Sequence, residues 1–222
     1  MLTPLKQWWY RRHAPPGPMR TYLSDRLPSP QATAQRSEYL AVDLETTGLD
    51  PARNHIVSIG YVPIRRLRIR VSEAAHLYVR IDGSVEQSAT IHHIRDADLC
   101  DGVPEADALA RLLEALRHRV LIVHHAPMDL GFLNAACRRH FGVPLLVRIV
   151  DTLDLARQRR TRGENQVREG ELRLNALRTD YRLPRYGAHD ALTDALATAE
   201  LFLAMLPRWA GDDPLPLATL LR

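Results

Sequence analysis

The segment that most constrains this chain is Tyr39-Leu40-Ala41-Val42-Asp43-Leu44-Glu45-Thr46-Thr47-Gly48. Apolar residues lead into two carboxylates spaced i, i+2, and a Thr-Thr-Gly turn closes the run. Read as a strand, this order puts Asp43 and Glu45 on one face, because side chains alternate with a period of two. Two carboxylates side by side repel each other, a cost that a fold tolerates when a cation sits between them. An edge strand with two solvated acids satisfies the same pattern. The pair therefore takes its meaning from acids elsewhere in the chain.

Downstream, Ile56 to Val62 reads as a buried strand, and Leu67–Val71 and His76–Ile81 as two more in an antiparallel meander. A short helical piece is expected around Ser88 to Ile94. Pro104 marks a helix start, and Ala106, Leu109, Leu112, Leu113 and Leu116 form one apolar stripe at helical spacing. Val120–Val123 is an interior strand running into His124-His125-Ala126-Pro127-Met128-Asp129. Pro127 fits the first turn of a helix, which places Asp129 near that helix's start. Val147–Asp151 is another strand, followed by a helix through Leu155. Residues 157–173 carry Arg157, Arg159, Arg160, Arg162, Arg168 and Arg173, and read as a mobile loop, either solvated or lying over a phosphate backbone. Leu172, Leu174, Leu177 and Tyr181 suggest a short helix. After the loop Gly187-Ala188-His189-Asp190, a long helix spans Ala191 to Leu206 with Asp194 in its first turns. A meander followed by alternating helix and strand predicts an α/β fold with a mixed sheet flanked by helices.

Three regions are expected: a basic, proline-rich N-terminal arm over 1–37, a folded domain over 38–208, and a short C-terminal tail over 209–222. Pro4, Pro15, Pro16, Pro18, Pro28 and Pro30 break any long helix in the arm. Trp8, Trp9 and Tyr10 stand beside Arg11 and Arg12. The expected role of that cluster is to dock the arm onto the domain or a partner subunit, with stacking on bases while the arginines hold phosphates as the alternative. The net charge of +4 suggests a polyanionic partner, and Lys6 is the only lysine among the cations. Cys100 and Cys137 are too few for a disulfide framework, so a reducing cytoplasm is expected. No apolar run reaches membrane-span length, and no signal-peptide core precedes the domain.

Asp43, Glu45, Asp129 and Asp194 stand out as a set. Each has a structural explanation alone, since helix starts favour acids. Together they are able to surround two divalent cations, which stabilise the attacking and leaving oxygens in phosphodiester cleavage. Carboxylate ligands favour Mg²⁺ or Mn²⁺ over zinc. His189 lies five positions before Asp194, and a loop histidine beside metal ligands is placed to take the proton of an attacking water.

The segments Asp43-Leu44-Glu45-Thr46-Thr47-Gly48, His124-His125-Ala126-Pro127-Met128-Asp129 and His189-Asp190-Ala191-Leu192-Thr193-Asp194 resemble, in order and spacing, the three motifs of the DEDDh 3′–5′ exonucleases. That family includes bacterial replicative proofreading subunits, RNase T and oligoribonuclease, and the resemblance covers Glu38 to Leu206. It implies a ribonuclease H-like fold with a five-stranded mixed sheet. It also implies two Mg²⁺ or Mn²⁺ ions on Asp43, Glu45, Asp129 and Asp194, with His189 as general base. Thr46, Thr47 and Leu49 match positions that hold the terminal nucleotide. His92, in Ile91-His92-His93-Ile94, matches a histidine near the substrate. His125 stands where the family has a substrate-side Asn, Met128 where it has Phe, and His93 where it has Gly.

The function implied is release of nucleoside monophosphates from single-stranded 3′ ends, DNA favoured, in a proofreading or repair role. RNA trimming is the alternative within the class, and a non-catalytic nucleic-acid- or polymerase-binding module is the alternative outside it. A DNA polymerase or other protein is an expected partner of the arm.

Overall fold

β1 forms because its first half is apolar on both faces, as a strand in mid-sheet requires. The computed structural model describes residues 4–81, 99, 101–162, 168, 170–187, 189–211 and 213–222. In chain order the main elements are α1 Pro4–His13, α2 Pro18–Tyr22, β1 Tyr39–Thr46, β2 Ile56–Arg65, β3 Arg68–Ile69, β4 Ala75–Tyr78, α3 Glu105–Leu116, β5 Val120–Val123, α4 Ala126–Phe141, β6 Ile149–Asp151, α5 Thr152–Arg162, α6 Leu174–Asp180, α7 Ala191–Met205 and α8 Pro207–Ala210.

The sheet runs β3-β2-β1-β5-β6, with β4 also paired to β2. β1 is antiparallel to β2 and parallel to β5, and β5 is parallel to β6. β3 and β4 share the outer edge of β2, so six strands make a sheet five strands wide, matching the expected mixed α/β architecture. The meander is shorter than its sequence pattern, because a 3₁₀ turn at Val71–Glu73 interrupts its outer edge. The expected helical piece at Ser88–Ile94 lies outside the described residues.

Alternation along β1 divides the core. Leu40 and Val42 pack with Leu109, Leu112 and Leu113 of α3 and with Phe132 and Leu133 of α4. Tyr39 and Ala41 face the other way, into Ala195, Ala199, Phe202 and Met205 of α7. Asp43 and Glu45 continue this second series, so β1 aims them at the α7 side.

Two expectations need correction. The helix after β6 does not stop at Leu155 but continues to Arg162, so the first part of the expected loop 157–173 is helical. Its arginines make a solvated helix face: Arg157 pairs with Asp154 at 2.8 Å, and Arg160 reaches Glu171 and Asp180. The arm is also more folded than its prolines suggest. Ala14, Met19, Tyr22 and Leu23 are buried in the core, the Tyr22 hydroxyl donates to the Leu146 carbonyl at 2.9 Å, and Arg117 clasps Asp25. The arm therefore docks through α2 and its flanks, while Trp8 and Trp9 remain 57% and 47% exposed. The tail closes back on the arm: the Ala34 N–H donates to the Leu215 carbonyl, the Leu217 N–H donates to the Ala32 carbonyl, and Leu217 is buried. Among the described residues no helix is long and apolar enough to cross a membrane.

Arg178 joins α6 to α7. It is 1% exposed and donates to the carbonyls of Ala197 and Pro184 and to the Glu200 carboxylate, each at 2.7 Å. Tyr186 donates to the other Glu200 oxygen at 2.9 Å. Replacing Arg178 with Met strands Glu200 and two carbonyls, and is expected to cost on the order of 3 kcal/mol of folding stability, measured by urea denaturation.

Candidate active site

The sequence brings one helix unusually close to one strand. Gly60 on β2 lies directly across from Asp43 on β1. A Cβ at Gly60 would stand 2.1 Å from the backbone carbon and oxygen of Ala191 and 2.3 Å from the nitrogen of Leu192. Only glycine leaves room for the start of α7 at that point, and this contact lays the helix's first turn beside the acids of β1. Asp190 caps the helix by accepting the Thr193 N–H at 2.8 Å. The preceding residue, His189, turns through a left-handed conformation at φ 69°, and its N–H donates to Oδ2 of Asp194 at 2.8 Å. Ligand atoms of Glu45, His189 and Asp194 then lie within 4.8 Å of one another.

A second link holds the same corner. Ser58, across from Glu45, meets Nε2 of His76 at 2.6 Å, and Nδ1 of His76 lies 3.6 Å from Oδ2 of Asp190. This ties β2 and β4 to the cap of α7. The Ser-His-Asp order resembles a nucleophilic triad, but Ser58 is 0% exposed and no substrate reaches it.

Asp129 arrives by another route. β5 ends in His124, and His125 (φ 97°, ψ 66°) reverses the chain into α4. The buried Asp151 carboxylate holds that reversal, accepting N–H groups from His125 at 3.1 Å, Ala126 at 2.8 Å and Leu153 at 3.0 Å. Arg222 reaches the same carboxylate at 3.3 Å. His124 bridges Thr152 at 2.8 Å and the Leu172 carbonyl at 2.9 Å. Burial pushes this imidazole down to about 4, so it is neutral near pH 7. Neither Asp151 nor Thr152 was among the expected site residues. The available signal was an acid at the end of an apolar strand, the pattern that singled out Asp43.

The electrostatics are those of a site short of positive charge. Burial, followed by the charges of Asp129, Asp194, Glu45 and Asp190, holds the Asp43 carboxyl well above its ordinary range. Burial with Asp194 and Asp190 lifts Glu45 to about 7. Burial and the Asp151 charge raise Asp129. Burial also raises Asp194, against the opposing hydrogen bond from His189. Among the described residues no lysine or arginine pairs with any of the four. Clustered, half-buried carboxylates without a basic partner fit a divalent cation as the missing charge.

The expected substrate contacts divide. His125 is exposed and lines an open cleft of about 1010 Å³ together with His124, His189, Asp194, Arg168 and Arg173. Thr46 and Thr47 spend their hydroxyls inside the turn, Thr46 donating to the Gly48 carbonyl at 2.7 Å and Thr47 accepting the His55 N–H at 2.9 Å. Leu49 projects outward, 83% exposed. His92 lies outside the described residues.

The RNase_T family model, described as an exonuclease, matches residues 40–202. The chain is similar to DNA polymerase III subunit epsilon of Salmonella typhimurium, 30% identical over 75% of this chain and 70% of that protein. It is 27% identical to the PolC-type DNA polymerase III of Caldanaerobacter subterraneus over 77% of this chain, but spans only 12% of that polymerase. Among solved structures, E. coli exonuclease I in complex with a dT13 oligonucleotide superposes with a TM-score of 0.67 and 21% identity, covering 78% of this chain and 41% of that one.

Two outcomes follow from the geometry. Gly60→Ala forces the start of α7 off the sheet, and is expected to weaken Mn²⁺ binding at least about tenfold, as read by calorimetry. The raised carboxyls make the metal-free fold prefer low pH. Glu45 keeps its proton in the folded chain when the unfolded chain has lost it, so its contribution is complete below 4.5 and gone above about 7. His124 acts in the opposite sense, but mainly below 6.5. In EDTA the melting temperature is therefore expected to fall by several degrees between about pH 6 and 8. Glu45→Gln flattens that fall, and saturating Mg²⁺ reverses it.

Proposed function

Since this chain belongs to the DEDDh family of 3′–5′ exonucleases, we propose that it hydrolyses single-stranded nucleic acid from the 3′ end and releases nucleoside monophosphates, with DNA as the favoured strand. One observation carries the reading. Glu45 on β1 and His189 and Asp194 at the start of α7 converge within 4.8 Å beside two further acids that, among the described residues, pair with no lysine or arginine.

In this reading Asp43, Glu45, Asp129 and Asp194 hold two divalent cations, Mg²⁺ or Mn²⁺. Bound there, the cations supply the positive charge that balances the phosphate and both reacting oxygens. His189 takes the proton of the attacking water at an imidazole nitrogen. Its placement at that task depends on its own backbone N–H, which is fixed to Asp194. The cleft of His125, Arg168 and Arg173 receives the strand, the guanidinium groups facing phosphates. Thr46, Thr47 and Leu49 form the edge where the terminal nucleotide rests. Thr46 and Thr47 form the turn that shapes this edge, and Leu49 offers an exposed apolar surface for a base.

DNA is favoured because the similar proteins include subunits of DNA polymerases and an exonuclease solved with a dT oligonucleotide. A DNA polymerase is the protein partner this kinship proposes. The catalytic unit is 38–208, with the arm and tail folded onto it.

Digestion of matched 5′-labelled single-stranded DNA and RNA tests the reading. A stepwise ladder from the 3′ end is expected with Mg²⁺ or Mn²⁺, none with EDTA, and a loss of about 10²-fold or more in His189→Ala. Cleavage of RNA over DNA would reassign the substrate. No cleavage by folded, cation-loaded protein would sink the enzyme reading.

A further inference from the structure

α1 is a helix with no fully buried residue, touching the core only through the half-buried Tyr10. Its sequence is Pro-Leu-Lys-Gln-Trp-Trp-Tyr-Arg-Arg-His, and none of its residues is buried. Leu5, Trp8 and Trp9 are 72%, 57% and 47% exposed. Yet the helix is not a free tail. Gln7 donates through Nε2 to the carbonyls of Leu23 at 3.0 Å and Asp25 at 2.6 Å, and the Ala14 N–H donates to the Tyr10 carbonyl at 2.8 Å. Trp9 is fixed between two rings, stacked on His13 at 3.9 Å and edge-on to Tyr10 at 5.5 Å. Two large aromatic side chains are thus left exposed, one of them, Trp9, held in place by its ring contacts, the opposite of what core packing alone would select.

The charge around them has one sign. Lys6, Arg11, Arg12 and Arg20 fall within residues 1–24, which contain no aspartate or glutamate. Trp8, Arg11, Arg12 and Arg20 line a groove of about 550 Å³. Arg20 is oriented by donating Nε at 2.9 Å and Nη2 at 2.5 Å to the Ala14 carbonyl. Among the described residues neither Arg11 nor Arg12 forms an ion pair.

We propose that this groove is a second binding site for single-stranded nucleic acid, with phosphates on Arg11, Arg12 and Arg20 and bases stacked on Trp8 and Trp9. The proposal rests on the exonuclease reading only for the identity of the ligand. The surface itself argues for that class. Guanidinium forks match phosphate, and an indole face accepts any base. Arg11 and Arg12 follow Trp8 by three and four residues, so basic and aromatic groups share one helix face. A helix that lies in a bilayer instead segregates an apolar face from a charged one.

The groove is remote from the acids. The arm is anchored through Leu146, ahead of β6, and through Arg117, ahead of β5, whereas Asp129 and the cleft lie beyond the far end of β5. A strand of a few nucleotides reaches one site only, while a longer strand occupies both and is tethered during cleavage.

The test is fluorescence anisotropy on the full chain in EDTA, where nothing is cut. The probes are 5′-labelled oligo(dT) of about 30 nucleotides, longer than the site of a single stacking module, and of about 4 nucleotides, at the lower limit of such a site. Arg11→Gln/Arg12→Gln is expected to weaken binding of the longer probe about tenfold and to flatten its log–log salt slope by about 1.4, two phosphate contacts at ~0.7 each. Trp8→Ala/Trp9→Ala is expected to weaken it comparably with the slope kept, since stacking releases no counterions. The shorter probe gains nothing from tethering, so its affinity falls less in both variants than that of the longer probe. Because Trp8, Trp9, Arg11 and Arg12 are all exposed and Tyr10, which packs on the core, is kept, circular dichroism and melting temperature should match the parent in both variants.

Unchanged affinity and slope for the longer probe would overturn the proposal. So would variants that keep the oligonucleotide but lose binding to vesicles of phosphatidylserine and phosphatidylcholine. If the parent binds the longer probe through the arm yet never cleaves with Mg²⁺ or Mn²⁺, the exonuclease reading fails and this one stands.

Discussion

The close approach of the Ala191 backbone to Gly60 is the contact on which the rest of the site depends. Strand β1 supplies two acids on one face by simple alternation, but alternation cannot bring them a third acid or a histidine. That requires a helix end laid nearly onto the sheet, and a sheet position without a Cβ is the only place such a helix can rest. Gly60 sits across from Asp43, so the absence of a side chain there works directly on the site. Once the helix start is fixed, Asp190 caps it, His189 turns back through a left-handed conformation, and Asp194 receives the His189 N–H. The Ser58–His76–Asp190 link braces the same corner from the sheet edge.

The acids so gathered disfavour their own charged forms. Burial and mutual repulsion raise all four. A fold that builds such a cluster without basic partners loses stability whenever the carboxyls ionise, unless a cation binds. The same principle in reverse appears at Asp151. It is 2% exposed, but its carboxylate accepts four backbone N–H groups and Arg222, and burial there is well compensated. Two buried acids within one strand end thus have different tasks. Asp151 is spent on holding the turn into α4, and Asp129, carried by that helix, is left for a ligand.

The arm adds a surface with a different character. From Ala14 onward it contributes Ala14, Met19, Tyr22 and Leu23 to the core, whereas α1 before them adds only the half-buried Tyr10. Trp8 and Trp9 were expected to dock the arm, since buried indoles are worth more than exposed ones. The anchors are smaller side chains and one tyrosine hydroxyl, and the indoles are left facing solvent among arginines. An aromatic residue in sequence reports the capacity to bury area, and the fold decides whether that area is spent inside or offered outside.

By itself the sequence determined the strand faces, the helix starts, the mixed α/β sheet and the identity of the acids, because each rests on local periodicity or on motif spacing within about ten residues. Asp43 and Glu45 on one face, Asp129 near the start of α4 and Asp194 in the first turns of α7 all follow from that local grammar. The extension of α5 to Arg162 was missed because its arginines, read as a loop, are satisfied by partners as distant in sequence as Asp180. Ser58, Gly60 and His76 were silent for the same reason. A serine, a glycine or a histidine in a strand has no local signal that distinguishes a brace from an ordinary residue. Only the tertiary structure decided their roles, because those roles consist of contacts between segments far apart in the chain, where distance and excluded volume act and periodicity does not.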